Sequence, residues 1–181
     1  IKIPELDSAT LADEKAEGGL EEPAKEIQLI AHEPYSVTNY NINIYPVSKY
    51  YQAKSDSIFF AEQLQTYCSD STSYHAKENP GNYDSIIYKR NVTNGNVKGV
   101  EILVKNAAKS YFKRVRILPH GDSAYHLSAI ASLDILTNID NNRFFEEFRF
   151  LKENLPSKIA DNKTSVILSD LKSIDSLTKV K

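Results

Sequence analysis

Ser85-Ile86-Ile87-Tyr88-Lys89-Arg90-Asn91-Val92, then Thr93-Asn94-Gly95-Asn96, then Val97-Lys98-Gly99-Val100-Glu101-Ile102-Leu103-Val104-Lys105 sets the architecture of the chain. Both flanks are rich in β-branched and aromatic residues, and the centre holds the Asn-Gly chemistry that turns a chain back on itself. The reading is a β-hairpin in which Val100, Ile102 and Val104 share one face. A second hairpin follows: Tyr111 to Leu118 and Ala124 to Ala131, around the turn Pro119-His120-Gly121-Asp122-Ser123. Consecutive hairpins with short connections build an antiparallel sheet.

Upstream of these hairpins, Tyr35 to Tyr45 alternates, with Tyr40, Ile42 and Ile44 on one face and Asn39, Asn41 and Asn43 on the other. This is the pattern of a half-buried strand, and Ile27 to Ile30 precedes it as another β-rich run. From Asp56 to Cys68 the period changes: Ile58, Ala61, Leu64 and Cys68 recur at helical spacing, with Ser55 or Asp56 as the N-cap. Residues 69 to 83 are polar and carry the turn Asn79-Pro80-Gly81-Asn82. Downstream, Asp140 or Asn141 caps a short helix through Arg143, Phe144 and Glu147, followed by a brief strand at Phe148 to Leu151. After Pro156, Val166 or Ile167, Leu171 and Ile174 mark a C-terminal amphipathic helix. The fold class is therefore α+β, an antiparallel sheet of about five to six strands covered by helices.

Composition bounds the rest. The chain has 181 residues, 41% hydrophobic and 25% charged, which suits one folded domain with some chain left over. Residues 1–26 hold three Lys against eight acids and no aromatic ring, and read as an acidic arm or linker. Residues 27–154 form the α+β domain and residues 155–181 a helical extension. The formal net charge of -2 lacks the basic field of a non-specific nucleic-acid binder. No apolar run approaches the length that spans a bilayer, so no membrane span is expected. With Cys68 as the single cysteine, no internal disulfide forms. The chain contains no Met, which reads as a fragment or a mature exported product. The triplets Asn91-Val92-Thr93 and Asn162-Lys163-Thr164 fit the glycosylation pattern, as an Asn-rich chain does by chance.

Three segments carry a resemblance. They are Tyr111-Phe112-Lys113-Arg114-Val115-Arg116-Ile117, Gly121-Asp122-Ser123-Ala124-Tyr125-His126-Leu127, and Asn142-Arg143-Phe144-Phe145-Glu146-Glu147-Phe148-Arg149-Phe150. Together they resemble the C-terminal half of PsbP-like domains, over about 40 of the 181 residues. The shared pattern is a basic strand, a turn with Gly, a strand with Tyr-x-Leu, and a helix leading into Phe-x-x-Phe-x-Phe. The resemblance implies an α/β/α sandwich and a non-catalytic module that binds proteins. It brings no catalytic residue with it.

The residues offer several candidate sites. Lys105, Lys109, Lys113, Arg114 and Arg116, interleaved with Tyr111 and Phe112, form the densest basic stretch. Without glycine-rich or RNP-type companions this reads as a solvated sheet face or a protein-binding patch, not a nucleic-acid surface. If the second hairpin places Tyr125 and Leu127 with Val115 and Ile117, then Arg114, Arg116, His126 and Ser128 share the other face. If the register slips by one, that patch dissolves. Tyr45, Tyr50 and Tyr51 are the candidate aromatic contacts for a partner, against the plainer reading of half-buried sheet tyrosines.

Cys68 and His75 are a weak thiol-base pair, since a lone Cys on an apolar stripe behaves as a small hydrophobe. His120, Asp122 and His126 crowd one turn and are the alternative site, that of a small hydrolase or ligand-binding protein. No zinc pattern, phosphate-binding glycine loop or nucleophile elbow accompanies them, so no metal and no cofactor are expected. The expected function is a non-enzymatic protein-interaction or assembly module, a subunit of a larger envelope or extracellular complex and so a secreted protein or lipoprotein.

Overall fold

The first of the two hairpins closes in two residues. Strand β3 (Asp84–Asn94) and strand β4 (Val97–Asn106) pair from Asn94 opposite Val97, leaving Gly95 and Asn96 as the turn. Gly95 takes φ +57 and Asn96 does not, which is the type II′ arrangement whose twist matches the flanking strands. The second hairpin repeats the device. In strands β5 (Phe112–His120) and β6 (Ser123–Ala131), His120 pairs with Ser123 and Gly121 takes φ +59. The computed structural model describes residues 26–67, 84–106, 110–138, 143–151, 155 and 157–178. The acidic arm through residue 25, Cys68, His75, the Asn79–Asn82 turn, Lys109 and the caps Asp140 and Asn141 lie outside them.

Strands β1 (Ile27–Glu33) and β2 (Thr38–Pro46) form a third hairpin that pairs through β2 with β6. The result is one six-stranded antiparallel sheet in the order β1-β2-β6-β5-β4-β3. Four helices accompany it among the described residues: α1 (Asp56–Leu64), α2 (Leu133–Thr137), α3 (Arg143–Glu146) and α4 (Thr164–Thr178). The α+β class and the antiparallel sheet covered by helices are as the sequence indicates.

Both faces of the sheet are buried. On the first, Leu103, Leu118, Leu127 and Ala129 pack under Leu136 of α2, Phe145 of α3 and Phe150. The second has Val100, Ile102, Val104, Val115 and Ile117 beneath Leu64 and Phe60 of α1 and Tyr67. A satellite cluster joins Phe59 to Ala53, Ala124 and Ile159. Ser55 caps α1 as expected, its hydroxyl accepting from the Ile58 N–H at 3.3 Å. The helix is rolled relative to the expected stripe, because Ile58 and Ala61 face solvent while Phe59 and Leu64 are buried. The rings carry more apolar area than Ile58 and Ala61, and their burial decides the roll. Phe148 to Leu151 forms no strand; Phe148 and Phe150 pack as an irregular segment with ring centroids 5.1 Å apart.

The register of the second hairpin corrects an expectation. Leu127 lies opposite Arg116 and Ala129 opposite Arg114, while His126 lies opposite Ile117. Arg114 and Arg116 therefore share the first face with Leu127, and His126 and Ser128 share the second with Val115 and Ile117. The cause is the two-residue turn, one residue off the register that would have grouped the polar side chains. The expected solvated basic face is corrected with it, since Arg114 and Arg116 are buried.

Candidate functional site

The sheet ends differently at its two edges. At the β3 edge the pairing is interrupted by a bulge between Ile86 and Tyr88, followed by Lys89 and Arg90. Bulges and charges of this kind discourage a further strand from adding. Strand β1 has no such guard. Residues 27–33 run in unbroken register with β2 and contain neither Lys nor Pro, and Ile30 is 65% exposed. Among the described residues the outer edge of β1 pairs with no other strand, so its N–H and C=O groups meet no ladder there.

The tip of the β1–β2 hairpin is built with care. Glu33 pairs with Thr38, and Pro34 to Val37 make the loop between them. The Glu33 carboxylate accepts from the backbone N–H of Tyr35 at 3.2 Å, from that of Ser36 at 2.6 Å, and from the Ser36 hydroxyl. Ser36 Oγ in turn meets Thr38 Oγ1 at 2.7 Å. The Ser36 hydroxyl and N–H bonds hold the Glu33 carboxyl below its usual range. This belt turns Tyr35 outward, 97% exposed, and places Val37 at φ +52. A β-branched residue in the left-handed region is strained, and such strain persists only where surrounding bonds impose it. The outcome is a hydrogen-bonded tip presenting an aromatic side chain next to a strand edge that pairs with no further strand among the described residues.

The tyrosines singled out from the sequence make contacts within the chain. Tyr45 accepts from Asn43 Nδ2 at 2.9 Å and sets its ring edge-on to His126, centroids 4.6 Å apart. Tyr51 donates to Glu62 of α1 and packs on Phe59; its burial and that bond push the phenol up to about 12. Tyr50 donates to Asp170 of α4 at 2.8 Å, beside the Lys49–Asp170 ion pair at 3.1 Å. Tyr50 and Tyr51 thus tie α4 and α1 to the segment between β2 and α1.

Arg114 and Arg116 belong to a buried ionic network. Glu101, fully buried, accepts from Arg90 Nε at 2.9 Å and Tyr88 Oη at 3.0 Å through one oxygen. Its other oxygen accepts from Arg114 Nη2 at 3.0 Å and Arg116 Nε at 2.8 Å. Burial raises the Glu101 carboxyl, and the bonds and charges of Arg114 and Arg116 outweigh that, leaving it below the usual value. The guanidinium groups also secure the helices above: Arg116 Nη1 donates to the Phe145 carbonyl at 2.6 Å, and Arg114 lies over the Phe145 ring at 4.3 Å.

The residues of the alternative site are not brought together. His120 stacks on Phe150 at 4.0 Å on the first face. Asp122 pairs with Lys158 at 3.2 Å in the open turn. His126 projects from the second face, where its Nδ1 shares a hydrogen bond of 2.8 Å with Tyr67 Oη. Burial and the nearby Lys113 lower its pKa to about 4, so the ring is neutral at pH 7.

No protein-family model, curated protein or solved structure matches the chain. The sequence pattern puts Tyr35 and Val37 inside a strand and Ile27 and Ile30 in a β-rich run, and marks none of them as a contact for a partner. The signal was local: Glu33-Pro34-Tyr35-Ser36 puts an acceptor and a turn former ahead of two N–H groups.

Proposed function

We propose that this chain is a non-enzymatic protein-interaction module whose partner adds an extended strand to β1 and seats against Tyr35. The observation that carries the reading is the β1 edge, which pairs with no further strand among the described residues, beside a fully exposed tyrosine on a hydrogen-bonded tip. Strand addition draws affinity from main-chain hydrogen bonds and specificity from alternate side chains, here those flanking Ile27 and Ile30. A preformed tip loses little entropy on binding, and tyrosine is a frequent anchor at interfaces. The resemblance of the second half to PsbP-like modules points the same way.

The test is affinity capture from the native source with the wild-type chain, Ile30→Lys and Tyr35→Ala, each folded to the same thermal midpoint. A stoichiometric protein retained after a high-salt wash by the wild type, and lost from both variants, supports the reading. Equal retention by all three moves the interface away from β1.

A further inference from the structure

The second face of the sheet turns polar where β6 meets β2. Asn43 lies opposite His126 and Asn41 opposite Ser128, so these four side chains share that face on neighbouring strands. Directly opposite side chains stand about 5 Å apart, and those two residues along one strand about 7 Å. His126 is 3% exposed. Among the described residues, three buried atoms here have no hydrogen-bond partner: Asn41 Oδ1, Asn43 Oδ1 and His126 Nε2. Two of these side chains are held from their other ends. Asn43 Nδ2 donates to Tyr45 Oη at 2.9 Å, and His126 Nδ1 shares its 2.8 Å bond with Tyr67 Oη. The Tyr45 hydroxyl turns its own proton to the Glu26 carboxylate, so it accepts from Asn43 and fixes that amide with its oxygen facing away. Folded proteins leave few buried polar atoms unpaired, and three at adjacent positions of one face call for a reason.

We propose that Asn41, Asn43 and His126, between the rings of Tyr45 and Tyr67, bind a small neutral ligand bearing several hydroxyl groups, of the class of a single sugar ring. The unpaired atoms select that class. Two amide carbonyls accept only, so the ligand has to donate to them, which an ionised carboxylate or phosphate cannot do. A cation is opposed by the Lys113 ammonium, 4.7 Å from the centre of the Tyr67 ring. Burial and that same charge keep His126 neutral, as expected of a place that resists positive charge. A hydroxyl both donates and accepts, so it satisfies the carbonyls and also His126 Nε2 in either tautomer. The rings supply the walls. Tyr45 stands edge-on to His126 with centroids 4.6 Å apart and Tyr67 is tilted against it at 5.7 Å, apolar surfaces suited to the C–H face of such a ligand. Among the described residues the Tyr67 hydroxyl bonds to His126 alone, so the side chain turns aside to admit the ligand at the loss of that bond and of its contact with Lys113.

The experiment titrates glucose, N-acetylglucosamine and myo-inositol in turn into the isotope-labelled full chain at pH 7. NMR follows the His126 ring nitrogens and the Asn41 and Asn43 side-chain amides. Saturable shifts at these residues with at least one probe are expected, and whichever probe saturates upholds the class. Asn41→Leu removes one acceptor, and His126→Phe keeps a ring without its nitrogens. Each should weaken binding about tenfold, the equivalent of one hydrogen bond. Asn41→Leu should melt at or above the wild-type temperature, because an apolar group replaces a carbonyl that has no partner. If that variant does not fold, His126→Phe decides. Shifts that only rise linearly with all three probes overturn the proposal and leave the three atoms to bound water. Saturable shifts of undiminished affinity in the folded variants overturn it equally, since the ligand then sits elsewhere. Because Tyr35 and the outer edge of β1 take no part, failure here leaves the strand-addition reading standing.

Discussion

Replacing Glu101 by Gln removes one charge and almost no volume, and the cost depends on where its partners can turn. Arg90 is half exposed and turns to water with little loss, and Tyr88 is half-buried. Arg114 and Arg116 have no such exit; their side chains are 2% and 3% exposed. They stay buried, with Glu146 as the carboxylate left opposite them among the described residues. Breaking a buried pair by removing one partner costs about 3–5 kcal/mol. That is a large part of the roughly 5–15 kcal/mol that holds a domain together. The assay is urea unfolding of the wild type, Glu101→Gln and Arg90→Gln at pH 7. Arg90→Gln should lose under about 1 kcal/mol, as exposed pairs do. Glu101→Gln combined with Arg114→Leu and Arg116→Met should recover most of the loss, since an apolar set of similar volume often replaces a buried ionic one without penalty. The acid limb adds an independent check. Because the folded carboxyl titrates below its unfolded value, its contribution is complete above the ordinary carboxylate range and fades as pH falls through the lowered one. Glu101→Gln should lack that part of the acid limb. A Glu101→Gln variant within about 1 kcal/mol of the wild type at pH 7 would contradict this account of the network.

Other perturbations have equally definite outcomes. His126 is lowered to about 4 in the fold from 6.5, so the unfolded chain takes up its proton first. Stability should therefore fall by up to about 1.4 kcal/mol per pH unit between those values, and His126→Gln, unfolded in urea at pH 7, 6 and 5, should show a shallower slope. At Gly99 an added Cβ would sit 2.5 Å from the Ile117 carbonyl oxygen and 2.6 Å from Leu118 Cδ2. Gly99→Ala should thus cost about 1–3 kcal/mol in the same assay, and an unchanged melting point would show that β4 and β5 part more easily than their packing implies. Phe145→Ala removes the ring under both guanidinium groups and should lose about 3–5 kcal/mol. Ile30→Lys should stay within about 0.5 kcal/mol of the wild type, as its side chain is largely exposed.

The parts of the fold legible in the sequence were those with local causes. Gly95 and Gly121 announced both hairpin turns, the alternation from Tyr40 to Ile44 announced β2, and Ser55 announced the start of α1. What stayed hidden depends on distant partners. The run Val100, Ile102, Val104 marked one buried face of β4 and drew attention away from Glu101 and Leu103 on the other, which is buried as well. Arg114 and Arg116 looked solvated because the carboxylate that neutralises them lies on a neighbouring strand, where no spacing rule reaches. The register of β5 against β6 turned on a single residue of loop length, and one residue is enough to exchange faces. Tyr35 went unnoticed for the opposite reason: its neighbours are good strand formers, and the Glu33 belt that ends the strand acts through backbone N–H groups.

The position of β2 beside β6 has a consequence for biosynthesis. Strands β3 to β6 form a meander whose members pair as they are made, but the β1–β2 hairpin has to dock against residues 123–131, far along the chain. At about 5–20 residues per second, the ribosome delivers that docking edge on the order of ten seconds after β2 has emerged. For that interval the hairpin has water on both edges, and its closure on β6 is the step with the longest loop to cross. Conditions that slow elongation between residues 46 and 123 lengthen the time in which the nascent chain is open to strand exchange with its neighbours on a polysome.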